Sequence, residues 1–274
     1  MCQLLAVSRS GYYQHLHSAP SPRKERHDAL EKQVLHFYTR SMGIYGYRKV
    51  AEDIRQESGN HCCAETVRRI MRENRLSAKV RHKFVVTTQS KHSLPVAENI
   101  LERDFTSDAP NRKWVADITY IRTSEGWLYL SGVMDLYSRR IVGWASSGHP
   151  DAELAVRALN MAIQDRRPAP GLLHHSDRGV QYASYAYQAI LKRCGMICSM
   201  SRKGNCWDNA GKESFFGKLK AEWIRGKTFS TREEAHREIA RYIEVFYNRQ
   251  RRHAALGYVS PVDFEQRGER TTAA

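Results

Sequence analysis

The stretch WVADITYIRTSEGWLYLSGVMDLYSRRIVGWA, residues 114–145, decides the fold. It falls into three runs, Trp114 to Ile121, Trp127 to Asp135 and Arg140 to Ala145, rich in Val, Ile, Trp and Tyr and separated by turns containing Gly126 and Ser138. Such residues suit pleated, half-buried backbone, and the short turns let successive runs pair as a meander. Downstream the pattern changes to an amphipathic helix over about 151–165, an apolar run from Gly171 to His175 and a helix over about 183–194. A short strand at Ile197 to Met200 and a longer helix from about 207 complete it. Strands that first adjoin and then alternate with helices predict an α/β fold, a mixed sheet covered by helices in the order βββαβαβα.

Outward from this core, residues 82–107 lose periodicity and read as a partly extended linker. Before it, residues 23–81 show apolar positions at helical spacing: Val34, Leu35 and Tyr38, then Val50 and Ile54, then Val67, Ile70 and Met71. Three short helices follow, with a break at Ser58-Gly59-Asn60 and a third helix whose outer face carries Arg68, Arg69 and Arg72. That is the outline of a helix-turn-helix, in which the basic last helix enters the major groove of DNA. The same periodicity also fits a small bundle with a solvated arginine face. Residues 1–22 form a short helical fragment, 108–225 the α/β core, and 226–274 a C-terminal helix and basic tail. In that tail YNRQRRHAALGYVSP carries Arg249, Arg251, Arg252 and His253, offering either phosphate contact or a solvated surface.

The charge balance agrees with a polyanionic partner. Lys and Arg number 44 against 29 Asp and Glu, a formal net charge of +15. A sustained positive potential attracts nucleic acid and raises its encounter rate. Residues 1–92 hold 17 basic and 8 acidic side chains, so the excess leans toward the N-terminal third. Six cysteines are scattered without paired metal-ligand spacing, and no apolar run nears membrane-spanning length, so a cytoplasmic protein with reduced thiols is expected.

Three acids stand where chemistry needs them: Asp117 inside the first strand, Asp177 just beyond the fourth in HHSDRG, and Glu213 within the long helix. Carboxylates facing one another repel by roughly 4 kcal/mol per pair at about 4 Å and an effective dielectric near 20. A divalent cation removes that repulsion, and Mg²⁺ prefers oxygen ligands in an open site that leaves room for water and phosphate. Two such ions suit in-line phosphoryl displacement. Asp135, ending a strand, reads as a hairpin residue, Asp151 as a helix start and His174 as a packing residue. Asn205 or Asp208 would cap the helix of Glu213.

Asp177 and Glu213 are separated by 35 residues. With that spacing the chain resembles the DDE transposase and retroviral-type integrase superfamily, whose core is ribonuclease H-like. More narrowly it resembles the second-frame transposase protein of the bacterial insertion-sequence-three family, through GIYGYRKV (43–50), TTQSKHSLPVAENIL (87–101), WVADITYI, HHSDRGVQY, SMSRKGNCWDNAGKESFFGKLKAEW (199–223) and YNRQRRHAALGYVSP (247–261). The resemblance implies a metal-binding catalytic triad of Asp117, Asp177 and Glu213, two Mg²⁺ or Mn²⁺ ions, and Lys220 as the basic residue seven positions after the glutamate. Helical geometry puts Glu213 and Lys220 on one face, two turns apart, and Gly217 between them either lets the DNA backbone approach or is simply a tolerated helix glycine. The implied activity is DNA cleavage at transposon ends and strand transfer, by an oligomer on DNA, together with the upstream-frame product of the same element and close to the bacterial nucleoid. A stand-alone nuclease of the same fold and a DNA-binding regulator are the alternatives.

Overall fold

The computed structural model describes residues 8–17, 21–59, 61–79, 94–202 and 210–272, with backbone alone at 15–16, 210–214 and 269–272. Contacts divide the chain into two compact units, Met1–Lys79 and Val80–Ala274.

In the first unit a short helix α1 (Arg9–His17) precedes three packed helices, α2 (Pro22–Arg40), α3 (Tyr47–Ser58) and α4 (Ala64–Glu73). Ser21 caps α2 by accepting from Lys24 N, and Pro22 fills the first helical turn, where its missing N–H costs nothing. Gly59 ends α3 in the left-handed conformation, at φ 65°, at the break that the sequence predicts. Val34 and Phe37 of α2, Val50, Ala51 and Ile54 of α3, and Val67, Ile70 and Met71 of α4 form the core. Leu35, expected in the apolar stripe, is instead exposed, because Val34 and Phe37 supply the inward face one turn apart.

The second unit is built on one five-stranded sheet, ordered β3-β2-β1-β4-β5. β1 (Lys113–Thr123), β2 (Gly126–Asp135) and β3 (Ile141–Ser147) form the expected antiparallel meander. β4 (Leu173–Ser176) and β5 (Ile197–Met200) then add in parallel on the other side of β1. Helix α5 (Ala152–Arg166), capped by the Asp151 carboxylate on Leu154 N, makes the crossover. It lies directly on β3: a Cβ at Gly143 would stand 2.3 Å from Ala158 O and 2.6 Å from Ala162 N, so no side chain fits there. Trp114, Ala116, Val133, Val142, Leu159 and Tyr187 are part of the core on this face. The helix expected over about 183–194 is α7 (Tyr185–Arg193), capped by the Ser184 hydroxyl at Tyr187 N, and the extended backbone of Ser184 separates it from a short preceding helix, α6 (Val180–Ala183).

The opposite face is covered by α8 (Ala210–Leu219), which widens into a π-helical turn at Lys220–Ile224. Phe216 packs over Gly132, where a Cβ would meet its ring at 3.5 Å. Then follow α9 (Arg232–Ala240), a second π-helical stretch at Arg241–Tyr247, and α10 (Pro261–Thr272).

Two expectations about the periphery are corrected. Residues 82–93 of the expected linker lie outside the described residues, but 94–107 are not a loose connection. Ile100 N and Leu101 N donate to Ser199 Oγ at 2.9 and 3.2 Å, and Met200 N donates to Glu98 O at 3.2 Å, so this segment straps the edge strand β5. The C-terminal part is likewise not a solvated tail. The Asn248 amide accepts from Ile141 N and donates to Ile141 O, both at 3.0 Å, closing on the edge of β3. Glu265 of α10 is buried against Ser138, Arg140 and Arg166 at 2.7 to 3.0 Å.

Candidate active site

The parallel ladder between β1 and β4 pairs Val115 with His175. Asp117 and Asp177 each stand two residues beyond this last pair of the ladder, Asp117 within β1 and Asp177 just after β4 has ended. Both carboxylates are half-buried. Asp177 is fixed by a tight turn in which its Oδ1 accepts from Gly179 N at 2.8 Å. A Cβ at Gly179 would come within 2.7 Å of Gln181 Oε1 and 3.0 Å of Asp177 Oδ1, so the turn needs glycine there.

The floor beneath is rigid. His175, buried, engages Ser199 Oγ through Nδ1 at 2.9 Å and Ser201 Oγ through Nε2 at 3.2 Å. Ser201 N donates to Ser176 O at 3.0 Å, and Arg178 Nε donates to Ser201 O at 2.5 Å. His174 points the other way and meets Tyr187 Oη at 3.0 Å in the core, the packing role expected of it.

Tyr182, a buried residue of α6 beside the Ser131 hydroxyl, senses both acids. Burial first, then the charges of Asp117, Tyr187 and Asp177, hold its phenol well above the usual range. The charges of both acids thus reach one buried ring. Lys220 closes the arrangement from the helix side: burial lowers its pKa, and the Asp117 charge works to raise it. Its ammonium lies 4.7 Å from the centroid of the Tyr120 ring.

Glu213 belongs to α8, whose Phe216 covers Gly132, the β2 residue paired with Asp117. Position 213 is three residues before Phe216 and on the same helix face. The Glu213 side chain, and Asn205 and Asp208, lie outside the described residues.

Several other sequence expectations change. Arg251 and His253 are 5% and 3% exposed and cannot present themselves to DNA phosphates. Arg251 is taken by Glu222, through Nε to Oε2 at 2.7 Å and through Nη2 to Oε1. Gly217 is buried, so it is no approach for a DNA backbone. Asp135 has the hairpin role foreseen, accepting from Tyr137 N at 2.9 Å and Asn111 N at 2.8 Å. Burial raises its pKa against those bonds and the nearby Arg166. Arg68, Arg69 and Arg72 are all exposed on α4, in the first unit. Arg68 lies 3.3 Å from Glu65 and Arg69 4.0 Å from Glu73, whereas Arg72 makes no ion pair among the described residues. The sequence reading passed over Tyr182 and Glu222. An acid amid the apolar residues of KAEWI is the same signal that singled out Asp117, and it marks the partner of Arg251.

No helix among the described residues is long and apolar enough to cross a membrane. The family described as Integrase core domain matches residues 107–206, a second family of the same description matches 213–268, and the HTH-like domain family matches 25–84. The chain is 46% identical to the insertion element IS600 uncharacterized 31 kDa protein of Shigella sonnei, over 97% of this chain and 98% of that one. It is 44% identical to Transposase InsF for insertion sequence IS3A of Escherichia coli (strain K12), over 97% of this chain and 93% of that one. Among solved structures it is similar to the simian T-cell lymphotropic virus intasome in complex with PP2A regulatory subunit B56 gamma, with 14% identity, a TM-score of 0.47, and 84% of this chain and 73% of that chain covered. With near-complete coverage at such identity, and integrase core families matching 107–206 and 213–268, the chain belongs to the IS3 family of insertion-sequence transposases.

Proposed function

We propose that this transposase cuts DNA at the ends of its element and joins the freed 3′ ends to a target, using two divalent cations, Mg²⁺ or Mn²⁺, held by Asp117, Asp177 and Glu213. The observation that supports the proposal is that two half-buried acids, Asp117 and Asp177, each follow the last pair of the β1–β4 ladder by two residues and that the charges of both reach the same buried ring, Tyr182. The donor set suits the ions: all three groups are carboxylates, the oxygen ligands that Mg²⁺ prefers. When bound, the paired cations activate the attacking hydroxyl and stabilise the leaving oxygen of an in-line displacement.

The protein's own part is positional. Asp117 is held by the ladder of β1 with β2, where it pairs with Gly132, and Asp177 by its Gly179 turn, so neither has to be ordered when substrate arrives. Lys220, beside Asp117, addresses the phosphodiester from the helix side. Water serves as nucleophile in cleavage and a DNA 3′-hydroxyl in joining, with no covalent protein intermediate. The arginine face of α4 supplies contact to the element's ends, and the assembly on DNA is an oligomer that includes the upstream-frame product, in the bacterial cytoplasm at the nucleoid.

Glu213→Gln tests the proposal. Joining of labelled element-end DNA to plasmid should disappear while DNA binding persists; joining that survives the substitution overturns the triad. Products that are only nicked, with wild-type protein, would instead identify a nuclease.

A further inference from the structure

Beyond Asp117 the β1–β2 hairpin runs on after its ladder with β4 has stopped. What it presents there is aromatic. Tyr120 is paired with Tyr129, and Trp127 lies two residues from Tyr129 along β2, so all three rings stand on one face of the sheet. Trp127 is 45% exposed, an unusual state for the largest apolar side chain. Tyr120 and Tyr129 are half-buried. Tyr120 and Trp127 meet edge to face, with centroids 4.9 Å apart at 82°. Lys220, 4.7 Å over Tyr120, connects these rings to Asp117.

The cations around the platform complete its chemistry. Arg122 is exposed on the same face as Tyr120. Arg232 donates through Nε to Trp127 O at 3.1 Å, and its guanidinium would meet a Cβ at Gly126 at 3.1 Å. Glu125, at the hairpin turn, is engaged by Arg232 N at 2.8 Å. Aromatic faces interleaved with cations are what a polynucleotide strand needs: every base has a π-face to stack, and each phosphate needs a positive neighbour.

We infer that Tyr120 and Trp127 form a stacking platform for unpaired bases of the DNA strand next to the reacting phosphodiester, with Lys220 on the intervening phosphate. This rests on Asp117 being the reaction centre. The platform gives the strand a path away from the carboxylates and fixes which phosphate lies between them, without reading sequence.

A binding cycle tests it. Full-length protein is titrated, without divalent metal, with fluorescent oligothymidylate and with the same backbone carrying abasic residues. Contacts made by the first unit to the backbone cancel in the ratio. Stacking predicts that wild-type protein prefers the base-bearing strand by roughly fivefold or more, that Trp127→Ala reduces this preference to less than about twofold, and that Trp127→Phe keeps most of it. A wild type without preference, or a Trp127→Ala variant that keeps it, overturns the platform. Metal-dependent nicking by wild-type protein is measured alongside: nicking without base preference removes the platform and leaves the Asp117 reading standing, whereas base preference without nicking removes the Asp117 reading.

Discussion

Replacing Arg251 by methionine should cost more stability than any exposed arginine in the chain. The side chains of Arg251 and Glu222 are only 6% and 8% exposed. Beyond the two-pronged contact with Arg251, the Glu222 carboxylate accepts a hydrogen bond from Tyr242 Oη at 2.8 Å. Burial alone would lower the Arg251 pKa, but hydrogen bonding and charge from Glu222 raise it above its ordinary value, so the guanidinium stays charged. Without Arg251 the buried glutamate loses its two-pronged cationic partner, which typically costs about 3–5 kcal/mol. For a unit of this size that corresponds to a fall of roughly 6–20 °C in Tm, at about 2–4 °C per kcal/mol. Calorimetry should show the loss in the Val80–Ala274 transition alone. A double variant, Arg251→Met with Glu222→Leu, should recover most of it, because removing both charges removes the desolvation cost as well. A single variant that loses less than about 1 kcal/mol, or a double variant as unstable as the single, would refute the reasoning. Glu222 lies two residues beyond Lys220 in the widened turn, so the pair also anchors the segment that carries that lysine to the site.

Two further outcomes follow from the charges. Burial works to raise the Glu265 pKa, but hydrogen bonds and charge from Arg166, Ser138 and Arg140 outweigh it and leave it lowered. A depressed carboxylate stabilises fully above its unfolded value of about 4.3, and that contribution is lost as pH falls through the folded value. Urea unfolding of Glu265→Gln should therefore show a shallower loss of stability below about pH 4 than wild type; parallel acid limbs would contradict the ion-pair role. Arg72→Ala, exposed on α4, should leave stability unchanged and reduce the salt dependence of DNA binding by about one unit in log–log slope. An unchanged slope would remove Arg72 from the DNA contact surface.

The meander was legible because β-branched and aromatic runs between short turns suit only pleated backbone, and the acids stood out because Asp117 interrupts such a run and Asp177 directly follows one. What the sequence concealed depends on distant partners. Arg251 and His253 read as a basic surface because Glu222, which buries Arg251, lies 29 residues earlier. Residues 94–107 read as linker because the Ser199 hydroxyl that pins Ile100 and Leu101 lies 99 and 98 residues away. The widening of α8 at Lys220 also has no compositional mark, since KAEWI is an ordinary helical string. Glycine was ambiguous in the same way: Gly217 read as an opening for DNA but is buried, while Gly143, unremarked in the sequence, is where α5 needs a strand without a side chain.

The convergence of the carboxylates on metal is tested most directly by the anomalous scattering of crystals grown with Mn²⁺. Density bridging the carboxyl groups of Asp117 and Asp177, lost in Asp117→Asn, is the expected result. A map with manganese elsewhere, or none between those two groups at saturating metal, would contradict it.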